Sequence, residues 1–340
     1  MLLKHQLKAI LCFSFSFCAA SYSAVQCADN SIGDLVFHQD KKYLVVDNDS
    51  IRSPVIKIKL IYGLIDVCTS HVTDLSFLFQ KQNLINTDLS TWDVSNVTNM
   101  KGVFYDSKNF NQDISGWDVS RVTDMSDMFS FAFAFNQPLS SWDVSQVVSM
   151  SKMFYMANDF NQPLDAWDVS SVVDMSSMFN GAINFNQPLN GWNVGSVLDF
   201  SLCFANTSSF NNDLADWDVG SALSTRKMFF RSVFNQPLID WNVANVVDMS
   251  SMFRMSRFNG DIGSWVLDSV LDTSYMFSNN LEFNQDISGW DVSGIKNMNG
   301  MFSNSKSFKY SLVSWFDVLS ASTTNMFFGI KNQLKLLING

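Results

Sequence analysis

An α/β solenoid is the fold class that the sequence predicts, with a parallel β-sheet on one side, short helices on the other, and about ten repeats of 25 residues. Three observations predict it. Tryptophans recur at a nearly constant step, apolar and polar residues alternate directly after each of them, and an apolar stripe with helical spacing follows. A fixed period of about 20–50 residues is typical of solenoids, in which each repeat buries its apolar face against its neighbours.

The tryptophans set the register of the repeat. All successive tryptophans are separated by 25 residues, except for two steps of 24 residues between Trp217 and Trp265. The full set is Trp92, Trp117, Trp142, Trp167, Trp192, Trp217, Trp241, Trp265, Trp290 and Trp315. No tryptophan falls outside this register, so it defines equivalent positions in all repeats.

The residues around each tryptophan indicate a strand. Leu or Ile precedes every tryptophan by three residues, and Trp142-Asp143-Val144-Ser145 alternates apolar and polar side chains, as a half-buried strand does. Because strand side chains alternate between faces, we expect the indole to point inward with the valine. Its N–H is then expected to bind a carbonyl or a loop amide. The alternative is an exposed aromatic platform for sugars or other flat ligands.

The second half of each repeat indicates a short helix followed by a loop. Its apolar residues are spaced by 3, 3, 1 and 3 positions, which places them on one helical stripe. In the third repeat they are Val147, Met150, Met153, Phe154 and Ala157. A Phe-Asn pair then precedes the next strand in eight repeats. Since Asn binds backbone groups in tight turns, we expect the stacked Asn residues to form a ladder.

The consensus LxxWxVSxVxxMSxMFxxAxxFNQ resembles the BspA-like leucine-rich-repeat surface proteins, in particular the branch with short repeats in mycoplasma-type surface lipoproteins. In that family LxxIxI forms the strand and VxxIxxxAF the helix. The residues that match position by position are Leu139, Trp142, Val144, Val147, Met150, Met153 and Phe154. The resemblance covers about residues 84–327, with a partial unit at 66–79. It implies a leucine-rich-repeat-like solenoid in an exported protein that adheres to surfaces or binds proteins.

The two ends of the chain differ from the repeats. The start, MLLKHQLKAILCFSFSFCAASYSA, has basic residues, a short apolar run and then small residues, which is typical of a signal peptide. The alternative is an N-terminal helix packed on the domain. We therefore divide the chain into a signal peptide (1–23), an N-terminal cap (24–66), a half-repeat plus ten repeats (67–327) and a C-terminal cap or tail (328–340). No transmembrane segment is expected after cleavage of the signal.

Three cysteines remain beyond the predicted signal. Cys27 and Cys68 are able to pair outside the cytoplasm, although three thiols do not define a disulfide framework. Cys203 occupies a position where other repeats carry Met, which indicates a small buried apolar residue. The segment Ala24-Val25-Gln26-Cys27 matches a lipid-anchoring signal poorly, so the mode of anchoring stays open.

Composition and charge limit the classes of partner. Hydrophobic residues make up 47% of the chain, which is enough for a large core, and the net charge is −10. Because an acidic surface repels phosphate backbones, nucleic acid is not expected as a partner. The expected partner is a protein or another cell-surface ligand.

The residue after each tryptophan forms a candidate binding face. In six repeats it is an Asp that alternation places on the open surface of the sheet: Asp93, Asp118, Asp143, Asp168, Asp218 and Asp291. Carboxylates stacked about 4.8 Å apart repel one another by about 1 kcal/mol in water, so something must offset the repulsion. Three interpretations are open: the Asp closes a turn or caps a helix, it forms an acidic face for a basic partner, or it binds calcium.

A second candidate is a basic patch in the less regular region between residues 192 and 277. It consists of Arg226, Lys227, Arg231, Arg254 and Arg257, and the alternative is a solvated basic face. Catalysis is not expected, because no nucleophile–base spacing, Cys/His metal cluster or phosphate-binding glycine loop occurs, and no metal or cofactor is expected.

The function that these observations favour is recognition of proteins, or adhesion, through the strand face of an exported solenoid at the cell surface or outside the cell. Two alternatives remain. One is a structural component of the cell envelope that assembles through contacts between repeats. The other is an enzyme built on the N-terminal cap, which requires His38 or His71 in a pocket within reach of a carboxylate.

Overall fold

The computed structural model of the chain describes residues 24–317 and 320–330. Its elements are, in chain order, β1 (Leu35–His38), β2 (Lys41–Asp47), α1 (Pro54–Ile61), β3 (Asp66–His71), a 3-10 helix (Leu89–Thr91) and α2 (Val313–Phe316). The predicted signal peptide lies outside the described residues, as does most of the predicted C-terminal tail.

The N-terminal cap is a small three-stranded sheet with one helix. β1 pairs antiparallel with β2, and β2 pairs parallel with β3 across α1, which connects them. Pro54 opens α1 and the Ser53 side chain accepts the N–H of Ile56, as expected of a helix N-terminus. A disulfide joins Cys27 to Cys68 on β3, so the segment that precedes β1 is tied to the strand that leads into the repeats.

Successive repeats stack in parallel, directly on one another. One β-bridge joins each repeat to the next, always at the position seven residues after the tryptophan, as in Ser149 with Asp174. The bridged column runs through Asp74, Asn99, Asp124, Ser149, Asp174, Asp199, Ser224, Asp248, Asp272, Asn297 and Ser322. Every repeat therefore contacts its two neighbours in the same register.

The prediction of a short helix after each tryptophan is wrong. In the third repeat the N–H groups of Met150 and Phe154 donate to carbonyls of the next repeat (3.0 and 2.9 Å), whereas those of Met153 and Ala157 donate three residues back (both 3.1 Å). Lys152 adopts a left-handed conformation (φ 57°), which no α-helix contains. The apolar residues are buried as predicted, but bonds between repeats and tight turns take the place of helical bonds.

The strands predicted at the tryptophans are also absent. Residues 142–144 belong to no strand, and they lead into a turn in which the Val147 N–H donates to the Val144 carbonyl (2.9 Å). Side chains still alternate, because Trp142 and Val144 are buried while Asp143 is exposed. The backbone bridge between repeats thus lies a few residues after the segment in which polar and apolar residues alternate.

Columns of stacked aromatic rings form the core between repeats. All ten tryptophans are at most 4% exposed, which confirms that they are core residues. Trp167 lies parallel to Trp192 with ring centroids 6.4 Å apart, and Phe154 stacks on Phe179 at 5.6 Å. The Trp167 indole N–H donates to the carbonyl of Leu139 in the preceding repeat (2.9 Å). The same bond to the preceding repeat recurs in the eight repeats from Trp117 to Trp290, whereas the buried Nε1 of Trp315 has no acceptor among the described residues.

The predicted asparagine ladder is confirmed. The Oδ1 atom of Asn161 accepts the backbone N–H of Asn186 (2.9 Å) and the side-chain Nε2 of Gln187 (3.0 Å). The same pair of bonds recurs where Asn111 meets Asn136 and Gln137. The Phe-Asn-Gln sequence therefore joins the loops of successive repeats.

Candidate functional site

The Asp residues that follow the tryptophans form a surface column that we call the acidic column. Asp118, Asp143, Asp168, Asp218 and Asp291 are exposed. Asp93 is only 3% exposed, which contradicts its assignment to the binding face. The cap covers Asp93, and the hydroxyl group of Ser70 donates a hydrogen bond to the Asp93 carboxylate (2.6 Å).

Each Asp of the acidic column also closes a turn. One carboxylate oxygen of Asp168 accepts the backbone N–H of Ser170 (3.0 Å), and Asp143 does the same with Ser145 (3.0 Å). Bonds from the hydroxyl and then the backbone N–H of these serines hold the pKa of both carboxyls below the ordinary value. The turn-closing interpretation is thus confirmed, and the carboxylates stay ionised at neutral pH on an exposed face.

A column of aliphatic side chains lies on the other side of the same turn, six residues after the tryptophan in the third to eighth repeats. It comprises Val148, Val173, Leu198, Leu223, Val247 and Leu271, which we call the aliphatic column; five of these side chains are exposed and Val173 is half-buried. The N–H of Leu198 donates to the carbonyl of Val173, and the N–H of Leu223 donates to that of Leu198 (both 2.9 Å). The side chains are therefore aligned along the stack.

The aliphatic column is exposed and has defined ends. Val148, Leu223 and Leu271 are 47%, 49% and 46% exposed. Threonines (Thr98 and Thr123) occupy the position in the first two repeats, and lysine (Lys296) occupies it in the ninth. Our interpretation of the sequence missed this column, because it followed the buried stripe that begins at Val147 and did not consider the apolar residue next to it, Val148. The signal was present as an apolar residue at one exposed register position in six consecutive repeats.

The residues of the predicted basic patch lie together on two adjacent repeats. The Arg231 N–H donates to the carbonyl of Arg254 in the next repeat (3.0 Å). Lys227 and the Arg231 guanidinium lie 5.9 and 5.3 Å from the ring centroid of Phe230. Arg257 differs from the others, because its Nε is 4.0 Å from the carboxylate of Glu282.

The histidines of the cap have no carboxylate partner in the hydrogen bonds and ion pairs of residues 24–317 and 320–330. The His71 Nε2 lies 3.0 Å from the backbone oxygen of Asn30, and His38 packs edge-on against Tyr43. Within the same ranges no group of three or more His, Cys, Asp and Glu residues is arranged to hold a metal ion. Burial raises the pKa of the Cys203 thiol.

The helices between residues 24 and 330 that the structure describes are all too short, or too polar, to cross a bilayer.

Comparison with protein families gives three matches along the repeats. The model of a Mycoplasma protein family of unknown function, DUF285, matches residues 59–163, 138–237 and 224–338. Together these matches cover most of the chain, so the protein belongs to this family of repeat proteins. No curated protein matches the chain.

Proposed function

We propose that the chain is an exported repeat protein that recognises other proteins through the corner formed by the aliphatic column and the acidic column. The observation that carries the proposal is the aliphatic column, which exposes an apolar side chain in five of six consecutive repeats. Large exposed apolar patches rimmed by polar residues are typical of interaction sites in soluble proteins. Equivalent side chains of the stacked repeats together form an extended surface of this kind, as is common in solenoids.

The acidic column supports a specific partner chemistry. Asp143 lies five residues before Val148, on the other side of the turn closed by Val144 and Val147. An apolar strip beside ionised carboxylates fits a partner that carries an apolar ridge bordered by Lys or Arg. The charges then raise the association rate and fix the orientation, while burial of the aliphatic side chains supplies affinity.

The Cys27–Cys68 disulfide supports export to the cell surface or the medium. Disulfides persist in oxidising compartments and are rare where thiols are kept reduced. The start of the sequence, which resembles a signal peptide, agrees with this localisation. We further infer that the stack is a solenoid related to the BspA-like leucine-rich-repeat proteins, which the regular parallel bridges between repeats support.

A pair of threonine substitutions tests the proposal. Leu198→Thr with Leu223→Thr installs the residue that the first two repeats carry at this position, so the fold is expected to tolerate both changes. A control pair, Ile239→Thr with Leu281→Thr, removes exposed apolar side chains (39% and 57% exposed) outside the column. Proteins captured from extracellular material are identified, purified and titrated against the three chains by calorimetry.

The expected result is a partner whose affinity falls at least about tenfold for the column pair, because a fully buried leucine contributes about 1.5–3 kcal/mol. The control pair keeps the affinity of the unsubstituted chain. Reversal of charge at Asp143 and Asp168 to Lys lowers the association rate. Equal affinity of the column pair and the unsubstituted chain would contradict the proposal.

Light scattering separates recognition from the envelope role. A chain that recognises partners stays monomeric as its concentration rises, whereas an envelope component that assembles through its repeats forms growing polymers. We propose no catalytic role for the cap, because His71 contacts a backbone oxygen and His38 an aromatic ring.

A further inference from the structure

We propose that Arg226, Lys227, Arg231 and Arg254 form a binding site for a sulfated polysaccharide. These four residues, called the basic cluster below, lie on the sixth and seventh repeats, counted from Trp92. The basic cluster shares no residue with the aliphatic and acidic columns, so its test does not depend on the proposed protein recognition.

The charges of the basic cluster are not neutralised by the protein. In the part of the chain that the structure describes, no carboxylate lies within 4.0 Å of the charged nitrogens of these four side chains. Partial burial lowers the pKa of Lys227, and the nearby positive charges of Arg226 and Arg254 lower it further. These cations repel one another, and the chain as a whole has a net charge of −10. A group of unneutralised cations in such a chain indicates a binding site for an anion.

Aromatic and thioether groups hold the side chains in place. The Arg254 guanidinium lies 5.2 Å from the ring centroid of Tyr275, and the Arg231 Nε donates to the Met255 sulfur (3.4 Å). The Nε atom of Arg254 is enclosed by protein and has no acceptor among the described residues. Guanidinium groups fixed in this way lose less conformational freedom when they bind a ligand.

The arrangement favours an extended anion with sulfate groups. Neighbouring repeats joined by a parallel bridge lie about 4.8 Å apart, so the three cations of the sixth repeat lie beside the one of the seventh repeat. The planar guanidinium fork binds oxyanions in two parallel hydrogen bonds. A sulfated polysaccharide carries such groups at close, regular intervals on a stiff backbone. A nucleic acid fits less well, because its long run of phosphates extends over the acidic surface beyond the cluster.

Two matched pairs of substitutions test the site. Arg226 and Lys227 stand nine and ten residues after their tryptophan, where other repeats have Ser176-Ser177 and Ser250-Ser251. The pair R226S/K227S therefore uses residues that the stack already accepts in the same conformation (φ 56° at Lys227, 58° at Ser251). The control pair K101S/K152S removes two cations from the same two register positions, outside the cluster.

Binding is measured by fluorescence anisotropy with labelled heparin oligosaccharide as the probe, over a series of NaCl concentrations. The unsubstituted chain is expected to bind, R226S/K227S to lose affinity by about tenfold or more, and K101S/K152S to keep it. Because fewer counterions are displaced, the dependence of affinity on salt becomes less steep for R226S/K227S. The single variant R231N, which installs the residue found at Asn206 in the preceding repeat, is expected to weaken binding as well. Thermal unfolding of each variant verifies that it is folded.

Four results would overturn the proposal, and three of them concern the probe and the variants. They are no binding of heparin by the unsubstituted chain, equal losses in the cluster pair and the control pair, and equally tight binding of a single-stranded DNA of the same number of charges. Chemically desulfated heparin must bind far more weakly than the sulfated probe; equal binding also counts against a sulfate site.

Discussion

Replacing Trp167 by alanine removes one indole from the middle of the aromatic core. The side chain is 3% exposed, stacks on Trp192 and donates its N–H to the Leu139 carbonyl (2.9 Å). Truncation of a buried aromatic to alanine costs about 3–5 kcal/mol, through lost burial and the cavity left behind. Within this total, about 1 kcal/mol belongs to the hydrogen bond that the Leu139 carbonyl loses.

The variant Trp167→Phe separates these contributions. Phenylalanine keeps an aromatic ring in the column but lacks the N–H, so we expect it to cost less than alanine. An exposed apolar residue serves as the control: Val266→Ala, at a site that is 53% exposed, should change the free energy of unfolding by less than about 0.5 kcal/mol.

The assay is urea unfolding followed by far-ultraviolet circular dichroism, fitted with a model of repeats coupled to their nearest neighbours. A loss of less than about 1 kcal/mol for Trp167→Ala would refute the reasoning, because it would mean that the indole is not enclosed between repeats.

Further predictions concern the disulfide, the ladder and two carboxylates. Replacing Cys27 and Cys68 by serine should lower the stability of the cap by about 2–4 kcal/mol, and a reductant should then have no further effect on urea unfolding. Asn161→Ala should cost about 1–3 kcal/mol in the same assay, because two donors of the next repeat lose their acceptor, whereas Asn161→Asp keeps an acceptor and should cost less. Burial raises the pKa of Asp127, so ionising it at neutral pH opposes folding, and Asp127→Asn should raise the melting temperature. The pKa of Asp143 is lowered on folding, so its carboxylate stabilises the protein above its unfolded pKa, and this contribution is lost as pH falls through the lower folded pKa. The difference between the urea midpoints of the unsubstituted chain and of Asp143→Asn should therefore stay constant near neutral pH. In acid the midpoint of the unsubstituted chain should fall relative to that of the variant.

The burial pattern could be predicted from the sequence because it depends on side-chain chemistry repeated in every unit. The inward tryptophan and the asparagine ladder each recur at one register position, and both follow from the need to bury apolar groups and satisfy polar ones. The same holds for Cys203, which is buried where other repeats have methionine.

The backbone path could not be predicted in the same way. A spacing of 3, 3, 1 and 3 between apolar residues fits a helix, but it also fits tight turns whose alternate N–H groups bind the next repeat. The left-handed residues in those turns are Lys152 and Met156 in the third repeat, and glycine marks the equivalent positions in only some repeats, as at Gly102 and Gly181. Bonds between repeats determine this conformation, and a single repeat does not reveal them.

The candidate surfaces were predicted in part. The acidic column follows from alternation, but Asp93 is buried because the cap covers the first repeat, a contact between segments that no periodicity describes. The aliphatic column was missed because its residues neighbour buried valines in the sequence, as Val148 neighbours Val147. The cluster of cations was visible as a run of Arg and Lys, whereas its lack of carboxylate partners emerges only from the packing of adjacent repeats.

Quenching of tryptophan fluorescence by acrylamide tests the central claim, that stacked repeats enclose all ten indoles. The native chain is expected to show blue-shifted emission and a small quenching constant, because no indole is more than 4% exposed, and urea should raise quenching sharply. Emission from the native chain that is quenched as readily as that of the unfolded chain would contradict the stacked arrangement.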